Sequence, residues 1–86
     1  MHYVYILRCA DGSLYIGETP DVDARLRKHQ EGGSRHTASR RPVALVYSEA
    51  FENRVLALGR ERQLKRWSRA KKEALIAGDI DKLRRL

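Results

Sequence analysis

Residues 3 to 9 and 13 to 17 alternate along their length and are rich in Tyr, Val, Ile and Leu, which predicts two β-strands. The turn signal Asp11-Gly12 lies between them. A three-residue loop Ala10-Asp11-Gly12, with Gly12 left-handed, sets Cys9 opposite Ser13, Leu7 opposite Tyr15 and Tyr5 opposite Gly17. In that register Tyr5 and Tyr15 leave one face of the hairpin as diagonal neighbours, while Val4, Ile6, Leu14 and Ile16 cover the other. A two-residue loop would instead put the two phenols on opposite faces.

Beyond the hairpin the period lengthens. Thr19-Pro20 reads as a cap with proline at the first helical position, and Gly32-Gly33 is a stop signal, so residues 20–31 are predicted helical. The stripe of this helix runs Val22 and Leu26, with Arg25 and His29 on or beside the same face. Residues 33–42, GSRHTASRRP, carry no period and read as a basic surface loop. Residues 43–47 predict a third strand. A long helix comes next, from Glu52 or Asn53 to about Trp67, with Glu61 set among Ala57, Leu58 and Leu64. Ser68 caps a further helix to about Ala77, and Gly78-Asp79 separates a short terminal one. The order β, β, α, β, α, α predicts an α/β (α+β) sandwich: a small antiparallel three-stranded sheet flanked by helices, forming one domain over residues 1–86.

Charge changes this picture. The net charge is +7, yet residues 1–53 balance seven Lys/Arg with seven Asp/Glu, so the whole excess lies in residues 54–86, which hold eleven against four. Arg60 to Lys72 alone carries seven basic residues. A one-sided basic surface on a small domain suits a polyanion, most simply nucleic acid, with the helical part from about residue 53 as the binding face. The single Cys9 excludes a disulfide framework and a Cys-rich zinc site; with no secretory apolar region, the expected setting is the reducing cytoplasm. The apolar runs are too short to span a membrane, and no membrane partner is expected.

Three charged or titratable side chains, Arg25, His29 and Glu61, fall where the helical period expects contact with the body of the protein. Such placement is costly unless the groups are paired or serve a site. One reading is structural: an Arg25–Glu61 ion pair with His29 as a satisfied edge residue. The other has these groups and the two phenols converging on one patch, where a carboxylate holds a hard divalent cation and a guanidinium braces a phosphate. His2 and His36 show no metal-ligand spacing and read as surface residues. Cys9 reads as a packing residue, and so does Trp67, although a tryptophan can also stack on a base.

The ordered segments YVY (3–5), YIG (15–17), ARLRKH (24–29) and ALGRERQLKRW (57–67) resemble the GIY-YIG nuclease superfamily over nearly the whole chain, and its small stand-alone branch in particular. The resemblance implies that Tyr5 and Tyr15 flank a scissile phosphate, one phenol helping to deprotonate the attacking water. It also implies that Arg25 stabilises negative charge, that His29 belongs to the site, and that Glu61 binds one divalent metal, Mg2+ or Mn2+. A phenol with a pKa of about 10 serves as a base only if nearby cations lower its effective pKa. Nucleic acid, DNA foremost, is the implied partner. Arg35, Arg40, Arg41, Lys65, Arg66, Arg69, Lys71 and Lys72 are the candidate backbone contacts. The chain departs from the family at Tyr3 and Val4, at Glu18, where some branches carry lysine, and at Glu73, where several carry asparagine. Glu18 is expected near the path of the incoming phosphate. The expected activity is metal-dependent hydrolysis of nucleic-acid phosphodiesters. Its rivals are a binding module with the nuclease fold but little turnover, and a protein-interaction adaptor.

Overall fold

The turn chemistry sets the register of the hairpin. In a computed structural model describing residues 1–86, Gly12 has φ 84°. Its N–H donates to Cys9 O at 2.9 Å, and Cys9 N–H donates to Ser13 O at 2.9 Å. Asp11 Oδ1 closes the loop by accepting from the Ser13 amide and hydroxyl at 3.0 and 2.6 Å. Strands β1 (His2–Cys9) and β2 (Leu14–Thr19) therefore pair with Tyr5 opposite Gly17 and Leu7 opposite Tyr15. The third strand, β3 (Val43–Phe51), pairs antiparallel with the other edge of β1, giving the order β2-β1-β3. It runs four residues past the predicted end at Tyr47, because Ser48, Glu49 and Ala50 keep pairing with Tyr5, Val4 and Tyr3 although their pattern is polar. A register irregularity between Ile6 and Leu7 re-aims the strand midway.

The helices are α1 (Val22–Gln30), α2 (Arg54–Lys65), α3 (Arg69–Ala77) and α4 (Ile80–Arg85), with a short 3-10 turn at Ala38–Arg40 inside the basic loop. Asn53, Ser68 and Asp79 cap the last three helices, and Gly78 ends α3 at φ 70°. The start of α1 corrects the sequence reading. Thr19 is the last residue of β2, is buried, and spends its hydroxyl on the Asp21 backbone. Asp21 is the cap instead, its Oδ1 accepting from Ala24 N–H at 3.0 Å.

The two faces of the sheet differ. On one, Val4, Ile6 and Ile16 pack with Ala57 and Leu64 of α2, and Leu75 and Ile76 of α3 lie against them. On the other, Tyr5, Leu7, Cys9 and Val43 form a smaller cluster with Tyr15 and Leu26 at its margin. No helix is long and apolar enough to cross a membrane.

Candidate active site

The hairpin brings Tyr5 and Tyr15 onto the face covered by α1, with ring centroids 6.3 Å apart. His29, on the last turn of α1, closes the triangle at 5.8 Å from Tyr5 and 5.1 Å from Tyr15. Tyr5 and His29 are each 1% exposed, so their polar atoms need partners inside the protein. They find each other: the Tyr5 hydroxyl lies 3.0 Å from His29 Nε2, and His29 Nδ1 lies 2.7 Å from Thr37 Oγ1. A neutral imidazole has one donor and one acceptor nitrogen. The phenol is the more acidic hydroxyl, so Tyr5 O–H donates to Nε2 and Nδ1–H donates to Thr37. Gly17 makes room for this arrangement, since a Cβ there would meet the Tyr5 hydroxyl and lie 2.6 Å from its Cζ. The space opposite Tyr5 is thus filled by the phenol itself.

Burial pushes the Tyr5 phenol up to about 12; Tyr15 adds to this, Arg25 opposes it and the Glu61 carboxylate adds a further rise. Burial also holds His29 below its usual value, with the Arg25 and Lys28 cations acting in the same direction. Arg25 and Glu61 are therefore both felt at one phenol. The Arg25–Glu61 ion pair is not formed. Glu61 Oε1 lies 3.7 Å from Lys65 Nζ, and the Glu61 side chain is 16% exposed on the helix face that also carries buried Ala57 and Leu64.

No three acidic, histidine or cysteine side chains gather as a metal cage. A half-buried carboxylate within electrostatic reach of Tyr5 fits Mg2+ or Mn2+ held by a single carboxylate, water and phosphate oxygens, and Glu61 is the residue that would hold it. Glu18 leaves the sheet on the face opposite Tyr5. It pairs with Val4 on the α2 side of the sheet, its Oε1 is 3.5 Å from Arg54 Nε, and its buried Oε2 has no partner. Glu73 is held between Arg8, at 2.6 and 2.8 Å, and Arg69, at 3.2 Å, which keeps its carboxyl down at about 2.

Several candidate backbone contacts are tied to their own scaffold. Arg41 donates to Ala38 O and Gln30 O, Arg40 pairs with Asp11 at 3.6 Å, and Arg69 donates to Gly12 O at 2.6 Å. Lys71 lies 4.4 Å over the Trp67 ring, which Arg60 also approaches, so cations occupy the indole. Arg35 and Arg66 are exposed, and neither forms an ion pair with the protein.

The sequence reading missed two neighbours of the site. Thr37 fixes the histidine, and His36, read as a surface residue, stacks on Tyr15 at 5.8 Å and 27°. The available signal was positional: residues 33–42 must carry the chain from the end of α1, where His29 sits, to the start of β3.

The GIY-YIG catalytic domain family model matches residues 1–74, the span that holds every residue of this cluster. The chain belongs to the GIY-YIG family. A UPF0213 protein of Staphylococcus aureus is 51% identical over 76 residues, covering 87% of this chain and 93% of its own. The solution NMR structure of the UPF0213 protein BH0048 from Bacillus halodurans is similar at TM-score 0.59 and 48% identity, covering 88% of this chain and 82% of its own. That of the E. faecalis protein EF2693 gives 0.62 and 40%, covering 90% and 83%. These likenesses bear out the GIY-YIG resemblance and the α+β fold, and the family gives the chain a nuclease-like domain.

Proposed function

We propose that this GIY-YIG domain is a metal-dependent endonuclease that hydrolyses nucleic-acid phosphodiester bonds, DNA foremost, in the cytoplasm. The observation that carries the reading is the buried Tyr5–His29–Thr37 chain, set beside Tyr15 and within electrostatic reach of Arg25 and Glu61. Buried polar groups this dense are costly to maintain for packing alone.

Tyr5 cannot act alone as a base, since its pKa near 12 marks it as a reluctant phenolate. His29 resolves this. Kept neutral, it accepts the Tyr5 proton at Nε2 as the phenol oxygen takes one from the attacking water, while Thr37 holds the productive tautomer. The new P–O bond forms as the bond to the leaving oxygen breaks, and that oxygen takes a proton from solvent water while His29 returns its own to solvent. Arg25 balances the charge gathering on the phosphoryl oxygens. A bound Mg2+ or Mn2+ at Glu61 would supply Lewis-acid stabilisation of that charge. Tyr15, less buried, borders the reacting phosphate rather than relaying the proton.

A cleavage panel of duplex, flap, junction and RNA substrates with Mg2+ or Mn2+ tests the assignment. Metal-dependent scission of at least one substrate is expected. The binding-module reading is favoured by Glu73, whose carboxylate is locked by Arg8 and Arg69 where several family branches place asparagine. It predicts salt-sensitive binding with no scission anywhere in the panel.

A further inference from the structure

The free edge of β2 carries a groove that the phenol cluster does not explain. A recess of about 290 Å3 lies between the edge at Leu14–Ile16 and the side chains of His36, Lys65 and Lys72. A second, of about 180 Å3, lies between Ser13, Arg69 and Lys72 and shares Leu14 and Lys72 with the first. The groove starts at the candidate site, because Tyr15 lines the first recess and Lys65 also approaches Glu61.

Three features point outward to an anion. Lys72 is half-buried and has no ion-pair partner on the protein, so its stem packs in the groove while its ammonium is left free for an anion. β2 is an edge strand, and Cys9 N–H donates to Ser13 O at the turn, which makes this the first, narrow position of the ladder. Antiparallel alternation then turns the N–H groups of Leu14 and Ile16 away from β1, toward the groove. Lys65, Lys72 and Arg69, from α2 and α3, line two recesses that share Leu14 and Lys72 and so follow one another beside the strand edge, which suits a linear polyanion better than a compact one.

We infer that this edge is a phosphate track. Two consecutive phosphates of one nucleic-acid strand, beside the phosphate at Tyr15, occupy the two recesses and share Lys72. The inference rests on the nuclease reading only for which phosphate reacts. The strand is recognised through its backbone, without base readout.

Lys72→Gln is the discriminating variant, because Lys72 is in both recesses and holds no protein group. With a short single-stranded deoxyoligonucleotide and Mg2+ omitted, the slope of log affinity against log salt should fall by about 0.7 per lost phosphate contact. An Arg84→Gln variant, removing an exposed α4 charge, should shift it far less. Single methylphosphonate replacements next to the reacting position should weaken binding to the wild type at two adjacent sites, and these losses should shrink in Lys72→Gln. Inorganic phosphate titrated into the intact protein should move the Leu14 and Ile16 amide resonances saturably. Equal slopes for the wild type and Lys72→Gln, or amide shifts no larger there than elsewhere, overturn the track. If all cleavage is absent while these binding effects persist, the nuclease reading fails and the track stands; cleavage without them gives the reverse.

Discussion

One sheet presents two unlike faces, and they divide the work. Under α2 and α3 the contacts are apolar, from Val4, Ile6 and Ile16 to Ala57 and Leu64, while the ionic pairs Arg8–Glu73 and Glu18–Arg54 sit at partly solvated positions. Under α1, by contrast, buried Tyr5, His29 and Thr37 exchange hydrogen bonds in the interior. Burial of apolar surface stabilises without direction, whereas a buried polar chain is stable in one geometry only. The first face holds the domain together. The second fixes proton donors and acceptors beside the edge where Tyr15 meets the groove.

The contrast is broken most severely by substitutions that respect it. Ile6→Ala empties the middle of the apolar face, and a loss of about 2–5 kcal/mol in chemical denaturation is expected. Gly17→Ala leaves that face intact but pushes on the Tyr5 ring. Any cleavage should drop by about 10²-fold as the phenol is displaced, with an overpacking loss of about 1–3 kcal/mol in stability. A rate unaffected in Gly17→Ala would separate the position of Tyr5 from the chemistry.

Acid sharpens the comparison by acting on each face in its own window. His29 titrates in the folded protein below its usual 6.5, so as pH falls through that value the unfolded chain takes up a proton that the folded one refuses, and stability declines. Glu73 is held down at about 2 from 4.5, so its contribution is intact above pH 4.5 and is lost progressively toward pH 2. Partial exposure at Glu73 screens its pairing, and this second loss should be the smaller. Stability measured against pH checks both assignments: His29→Gln should flatten the decline that begins near pH 6.5, and Glu73→Gln the one that begins near pH 4.5.

Much of this was legible in the sequence. The loop length and Gly12 dictated which face both phenols share, and the helical period placed His29 and Glu61 inward. Boundaries set by backbone pairing were less visible, as at β3, where polar residues continue the ladder, and at Thr19, which ends a strand where a helix cap was expected. Charge partners were least visible. Nothing in spacing distinguishes Arg69, which is bonded to Gly12 O, from Lys72, which has no counter-ion, because that difference depends on how α3 meets the hairpin.

The role proposed for the polar face is metal-assisted phosphodiester cleavage. Its most direct test compares the wild type, Glu61→Gln and Tyr5→Phe in one preparation series, measuring Mg2+-dependent cleavage of the best panel substrate together with thermal stability. At least about a 10²-fold loss of cleavage is expected in each variant, with cooperative unfolding retained in both. Wild-type cleavage rates in purified Glu61→Gln would contradict it, as would scission by the wild type that persists unchanged after the metal is chelated.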